Sequence, residues 1–473
     1  MQPYPLLLLV CASAVLTAST WANTPAASPT NPPSLRERNI ARVHQMDDAR
    51  IKDYLGRPEF MVKPGLLADR TGRVVHVAAE SIHLNPGDPV EFPLVTQGSG
   101  KDYEALAVSF SSALDLHEAL QFIGLTAGRG VDASRLQFWP KGDRVKVVFH
   151  YTDTGSTAPA MRHIPVERLI HDTRTSKTLP ETGFTFTGSQ WEPGLDPATG
   201  KVYAADAFSP GAIVSIYNES STVLDVPKRV SQNEVYTFQT PNPDYLLPSN
   251  QLIEITLEPF FKDNKPHHLD LSLRVAPATD NPTNTDLLYS LHSFQNGVIN
   301  TNQTVNGLLA ALERLGVQEV FVTVRPDGST PLASLQKMAG LLYSLDNENG
   351  IRIEAPPPGE PYFKAFLPNE RHRKREDRPA QAAELHLSEV SGIATGVLVW
   401  VDSEWKGDDS SPVFRETRIT AATPEVLSSA IAAKEEVPSV MLVFAPATLR
   451  YGVLRDFLAP ILKKKMILYV FKE

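Results

Sequence analysis

The sequence predicts an α+β protein: a β-rich N-terminal domain over residues 56–275, then two tandem βαβαβ units at 287–355 and 390–473. Three observations carry this. Between Val74 and Leu257, short apolar or alternating runs outnumber the one clear helical pattern. Beyond a polar, proline-broken stretch at 277–286 the apolar spacing turns helical, with Leu308, Leu312 and Leu315 on one face and Leu335, Met338, Leu342 and Leu345 on another. That second pattern then returns at a nearly constant separation: 120 residues from Val320 to Val440, 119 from Leu335 to Leu454 and 116 from Ile351 to Ile467. Such constancy marks an internal duplication.

The chain begins with an apolar run, Leu6 to Val10 and Ala12 to Leu16, and Thr20-Trp21-Ala22 reads as a cleavage site. Residues 1–22 are therefore expected to be a signal peptide, although no Lys or Arg precedes the apolar core. A retained anchor is the competing reading, but the segment is short and polar for a spanning helix. The only cysteine, Cys11, lies inside it. A mature chain cut near Ala22 would lack disulfides, iron–sulfur clusters, cysteine nucleophiles and cysteine-type zinc sites. The net charge of -9 argues against a nucleic-acid partner, which would need concentrated cationic charge.

Residues 23–55 read as a flexible linker and a short helix: the Ala, Ser, Thr, Asn and Pro before Leu35 cannot bury enough surface to order themselves, and Ile40, Val43, Met46, Ile51 and Leu55 follow helical spacing. Strands are expected at Val74–Val77, Val90–Val95, Ala105–Phe110, Val145–Tyr151, Phe184–Thr187, Ile213–Tyr217, Val235–Phe238 and Leu252–Leu257. The one helix among them repeats Leu116, Leu120 and Ile123 and closes at Gly124, which suits the left-handed position past a helix end.

The order Glu91, Gly100-Lys101, Glu104, His117, Leu120, Gly124, Gly128 resembles the YdjY-type domain of bacterial exported proteins. So do Phe184 to Trp191, Tyr203 to Asp206, Ile213 to Asn218 and Leu246-Leu247-Pro248. That resemblance covers about 200 residues and implies an exported domain of no assigned chemistry. An electron-transfer role attached to such proteins would conflict with a mature chain lacking cysteine unless a separate cofactor binds. In the second half, each unit is similar to the periplasmic domain of the ExbD/TolR family, through Asn296-Gly297-Val298-Ile299-Asn300 and Arg450-Tyr451-Gly452-Val453-Leu454. The resemblance implies that the two units pair side by side within the chain. The family's motor role rests on a membrane helix with an acidic residue, which no segment here supplies.

Arg371 to Arg378 holds five Arg or Lys among eight residues, read as a solvated loop or, alternatively, a binding patch. Lys463-Lys464-Lys465 falls where the last helix should end, complementing its dipole.

No phosphate-binding glycine loop, nucleophile elbow or paired-histidine zinc helix occurs, and Ser189 has glycine on one side only. His267 and His268, near Asp270, would point to opposite faces of a strand and so do not serve one ion. No metal site and no cofactor are expected. The candidate binding residues are Lys101, Tyr103, Glu104 and His117: Lys101 and Glu104 flank a strand entry, and the helix bearing His117 could fold back onto it. A His–Glu pair serves as general base, metal ligand pair or polar anchor, and it also fixes helices to sheets. Tyr103, Trp139, Phe149 and Trp191 are aromatic candidates for a pocket wall or the core. The leading expectation is a non-catalytic binding protein, periplasmic or secreted, with an envelope protein or glycan as partner and no membrane span after cleavage. The alternative is a hydrolytic or metal-assisted enzyme using Glu104 and His117.

Overall fold

A computed structural model describes residues 32–153, 159–262, 268–281, 283–294, 297–316, 319–378, 382–390, 393–404, 413–434, 438–462 and 466–473. The expected signal peptide, His267, Asn296 and Lys463 to Lys465 lie outside them. The protein is α+β.

Its first part is an eight-stranded barrel. In chain order the ring strands, with β5 attached to one of them, are β1 (Val74–Ser81), β2 (Phe92–Val95), β3 (Ala105–Ser109), β4 (Arg144–Asp153), β5 (Ala160–Pro165), β6 (Phe184–Phe186), β7 (Ala212–Val214), β8 (Leu224–Asp225) and β9 (Leu252–Pro259), and a hairpin of Phe60–Lys63 and Leu66–Asp69 adds to β1. The ring runs β1-β9-β4-β6-β8-β7-β2-β3 and closes from β3 back to β1, with β5 added outside β4. Closure removes the unpaired edges that an open sheet would expose. Period-two alternation fills the interior: Val145, Val147, Phe149 and Tyr151 of β4 join the core while Arg144, Lys146 and His150 face outward.

Two helices close on this barrel. α1 (Leu35–Tyr54) starts earlier than its apolar spacing suggests, because Ser34 and Glu37 form a reciprocal capping box. Residues 35–39, expected in or beside a flexible linker, are thus helical. They are also docked: Glu80 accepts from Arg36 at 2.9 Å and from Asn39 at 2.7 Å. α2 (Ala113–Phe122) buries Ala113, Leu116, Ala119 and Leu120. Gly124 ends it at φ +85°, with Leu125 N–H donating to Leu120 and Gly124 N–H to Gln121, a Schellman closure. One expected strand is corrected: Val235–Phe238 opens in a helical turn capped by Ser231 and Glu234, and the strand begins only at Gln239.

The second part holds two five-stranded sheets of the same topology. The first consists of β10 (His268–Pro277), β11 (Leu287–Ser293), β12 (Gly297–Gln303), β13 (Glu319–Pro326) and β14 (Arg352–Ile353), with α3 (Val305–Leu315) and α4 (Leu332–Leu345). The second repeats it as β15 (Ala382–Val390), β16 (Ile393–Glu404), β17 (Val413–Ala421), β18 (Val440–Ala445) and β19 (Ile467–Lys472), with α5 (Pro424–Ala432) and α6 (Tyr451–Leu462). The orders are β12-β11-β10-β13-β14 and β17-β16-β15-β18-β19. Each unit is therefore βββαβαβ, two strands longer at its start than a βαβαβ unit; of the added strands, the apolar run Gly396–Val401 marks the one that became β16.

The boundary expected at 275 accordingly falls inside β10, the central strand of the first sheet, parallel to β13 and antiparallel to β11. The polar stretch at 277–286 connects two strands of one sheet. Proline and polar residues mark a chain reversal as well as a domain boundary, so composition alone did not separate the two. The repeat alignment also shifts: Val322 and Val324 share their core-facing role with Met441 and Val443, a separation of 119. Pairing Val320 with Val440 slips one residue and exchanges the two faces of the strand.

The two units share one apolar core, running from Leu271 of the first to Val470 of the second. Between them Leu332 N–H donates to Leu449 O (2.9 Å) and Tyr451 N–H to Thr330 O (2.8 Å). Ala333 N–H donates to Ala447 O (3.0 Å) and Gly452 N–H to Gly328 O (2.9 Å). Each bond maps onto its partner by a shift of 119 residues, which is a twofold relation inside one chain. The outer face of the second sheet is covered by the basic segment: Arg373 stacks over Phe471 and Arg378 over Phe444. The barrel covers the corresponding face of the first sheet.

Candidate functional site

The four candidate residues separate into two places. Glu104, buried at the turn into β3, binds Lys101 Nζ at 2.6 Å, and that ammonium also reaches the Tyr103 hydroxyl at 3.2 Å. The Glu104 hydrogen bond holds the Lys101 ammonium above its ordinary range. Beside them Glu91 is fully buried and accepts from Gln232 Nε2 at 2.9 and 3.2 Å. Burial pushes its carboxyl pKa up, and the Glu104 charge adds to this. Tyr103 itself is exposed.

His117 is elsewhere. Its Nδ1 lies 2.8 Å from the Tyr203 hydroxyl, which also accepts from Ser189 N–H at 3.1 Å. Donation from the Tyr203 hydroxyl to Nδ1 would put the ring proton on Nε2. Phe186 packs edge-on at 5.1 Å, and a Cβ at Gly188 would lie 2.7 Å from the imidazole, so the ring closes against backbone there. Burial lowers the His117 pKa. The expected Glu104–His117 pair does not form: α2 turns Leu116 and Leu120 into the barrel, and that rotation sends His117 toward Tyr203 rather than to the strand entry. Among the aromatic candidates, Phe149 is core and Trp191 is exposed. Among the described residues no group of three or more His, Cys, Asp or Glu could hold a metal ion.

The larger constellation lies where the barrel meets the first sheet. Barrel cations face acids of the first unit: Arg129 pairs with Glu354, Lys141 with Asp270 and Glu354, and Arg229 with Asp346. Trp139 Nε1 donates to Asp346 at 2.7 Å, and the Arg229 guanidinium lies 3.9 Å from the centre of that indole. This charge complementarity sets the barrel against the sheet.

A cleft of about 850 Å³ opens along the same junction. Among its lining residues are Arg144 of β4 and Arg352 of β14, both paired with the carboxylate of Glu319 beneath them, Arg352 at 2.8 Å. All three side chains are nearly sealed from solvent, at 11, 5 and 4% exposure. Two guanidinium groups thus share one carboxylate, and Glu181, Glu313 and Glu348 also line the cleft. Arg144 also donates to Thr182 O and Arg352 to Pro227 O at 3.3 Å, while Nε of Arg144 has no hydrogen-bond partner. Leu309, Leu312, Val320 and Ile351 supply apolar wall, and the Lys228–Glu348 pair sits at 3.8 Å in the same lining. A concave site with apolar walls and a few convergent polar groups is the usual form of a ligand pocket.

Sequence reasoning missed Arg144, Glu319 and Arg352. Each sits in an ordinary strand pattern, and the only local signal is a charge where alternation alone expects any polar residue. Trp139 was singled out, but for its ring and not for its partner Asp346. The chain matches no protein-family model, and no curated protein matches it.

Proposed function

We propose that this protein is a non-catalytic, exported binding protein of the cell envelope: a YdjY-like barrel joined to a duplicated ExbD/TolR-like module, with its ligand seated in the cleft between barrel and first unit. The observation that carries the reading is the Arg144–Glu319–Arg352 arrangement in the lining of that cleft. Two guanidinium groups on one carboxylate, in a lining that also holds Lys228 against Glu181, Glu313 and Glu348, suit a carboxylate-bearing ligand such as an acidic glycan or peptide fragment of the envelope seated at the arginine end. The apolar helix face of α3 would cover its uncharged part. Export is supported by the Leu6–Leu16 apolar run and Thr20-Trp21-Ala22. Among the described residues no helix is long and apolar enough to cross a membrane.

The test is calorimetric titration of the full mature chain with carboxylated envelope glycans and peptides, and with their amidated forms. Binding of a carboxylated form alone, weakened in Leu309→Glu and in Arg144→Gln, is the expected result. Arg144→Gln leaves Glu319 paired with Arg352, and Leu309 is 39% exposed, so both variants keep the fold. Equal binding of acid and amide, or binding untouched by either substitution, would remove the cleft from consideration. N-terminal sequencing of the exported form should begin at Asn23.

A further inference from the structure

A second cavity, of about 400 Å³, lies between the barrel and a small three-stranded sheet laid against it. That sheet pairs Ile170–Asp172 with Lys177–Thr178 on one side and with Gln239–Pro241 on the other. Lys177, Asp172 and Gln239 stand directly opposite one another across its three strands, so their side chains leave the same face. All three line the cavity. Phe184 of β6, Ile216 just beyond β7 and Val230 beyond β8 bring apolar wall from the barrel, and Leu179 and Val235 add to it from segments flanking the small sheet. The cavity meets the cleft at Thr182, Pro227 and Lys228, which line both.

Most of the polar groups around this cavity are already matched. Asp172 accepts from Arg174 Nη2 at 2.7 Å, from Arg174 Nε at 3.1 Å and from Gln239 Nε2 at 2.9 Å. The buried Glu167 accepts from Gly183 N–H at 2.9 Å, Glu234 accepts from Ser231, and Lys228 pairs with Glu348. Gln239 is the exception. Arg174 keeps Asp172 an ionised carboxylate, which can only accept, so the Gln239 amide turns its NH₂ toward that carboxylate and its carbonyl away. The carbonyl oxygen is buried and finds no hydrogen-bond partner among the described residues. A buried acceptor left unpaired carries a cost that an incoming donor removes.

We propose that this cavity is a second binding site, for a small neutral molecule with an apolar body and a hydroxyl or amide N–H that donates to Gln239 Oε1. Its volume lies within the range of small-molecule pockets, and apolar walls with one directing polar atom are their usual form. The ligand is neutral because a buried charge without a partner costs far more than a buried hydroxyl, and the charges of Asp172 and Lys228 already face Arg174 and Glu348. Burial also disfavours the charged form of Glu167. The arginine pair of the cleft takes no part in this recognition, so the site stands whether or not the cleft binds a carboxylate.

The probe is benzyl alcohol, titrated into the full chain labelled at Ile and Val methyl groups, with benzyl methyl ether, benzylammonium and benzoate as counterparts of similar shape. Methyl NMR signals of Ile216, Val230 and Val235 report occupancy. Benzyl alcohol should shift them saturably, and the ether and both ions should bind about tenfold more weakly. Gln239→Met removes the acceptor at similar volume while Asp172 keeps Arg174, and should bring the alcohol down to the affinity of the ether. Val230→Phe, at a half-buried position, should fill the cavity and abolish the shifts at Ile216 and Val235, with circular dichroism confirming that both variants fold. In the parent chain alone, methyl signals unmoved by all four probes, equal binding of alcohol and ether, or tighter binding of either ion would overturn the proposal. So would a preference for the alcohol that survives in folded Gln239→Met.

Discussion

Pro331 and Arg450 face each other across an antiparallel bridge, each occupying the same place in its own repeat, 119 residues apart. The bridge lies on the twofold relation between the units, and the four flanking backbone bonds exchange pairwise about it. A contact made once from equivalent positions is what an isologous dimer interface looks like when both subunits belong to one chain.

This close approach restricts side chains. A Cβ on Gly452 would lie 3.2 Å from the Gly328 carbonyl oxygen, so Gly452→Val should cost about 1–3 kcal/mol by overpacking, measured by urea denaturation. Gly340, exposed inside α4 with open space around it, gives the opposite sign. Gly340→Ala should gain about 0.5–1 kcal/mol, because alanine restricts the unfolded chain and favours helix.

The shared carboxylate of Glu319 makes a different prediction. Glu319→Gln leaves Arg144 and Arg352 buried without a counter-charge, and breaking buried pairs of this kind costs about 3–5 kcal/mol. Arg144→Gln retains a one-to-one pair and should cost clearly less. Chemical denaturation of both variants at one pH compares them directly.

Tyr203 holds the His117 side of the barrel together. Tyr203→Phe removes the hydrogen-bond partner of His117 Nδ1 and strands the Ser189 amide inside the protein. An unsatisfied buried donor costs about 1–3 kcal/mol, to be read from the urea midpoint. In the parent chain, nitrogen shifts of the His117 ring should report a neutral imidazole protonated on Nε2 through pH 7.

Two carboxyl groups set opposite pH dependences. The Arg174 fork, with help from Gln239, holds Asp172 down at about 2. Its contribution, about 1–2 kcal/mol at neutral pH, is present above its ordinary value and lost as pH falls through about 2. Asp172→Asn should therefore differ from the parent at pH 7 and converge on it in acid. Glu91 is raised by burial, so its contribution is complete below the ordinary carboxylate range and lost as pH rises through the folded value. Glu91→Gln should match the parent near pH 4 and exceed it in alkaline buffer, as pH-dependent melting will show.

Local pattern carried much of the architecture. Alternation at Val145, Val147, Phe149 and Tyr151, the Leu116–Leu120 face, the Gly124 stop and the two helical stretches near 308–345 all rest on interactions within a few residues, which a linear reading captures. The duplication was visible for the same reason, since each copy preserves its own spacing. The capping box at Ser34 and Glu37 was equally local and was passed over in favour of apolar spacing.

Other features depend on residues far apart in the chain. Whether β10 belongs to the barrel or to the following sheet turns on pairing with β11 and β13, and the choice between 119 and 120 residues turns on which face of β13 meets the shared core. His117 goes to Tyr203 because of how α2 rotates, and Arg144, Glu319 and Arg352 meet only when the barrel docks on the first sheet. Sequence spacing encodes periodicity along one strand or helix. Pairing, rotation and docking are decided by contacts between distant segments, and those exist only once the chain has folded.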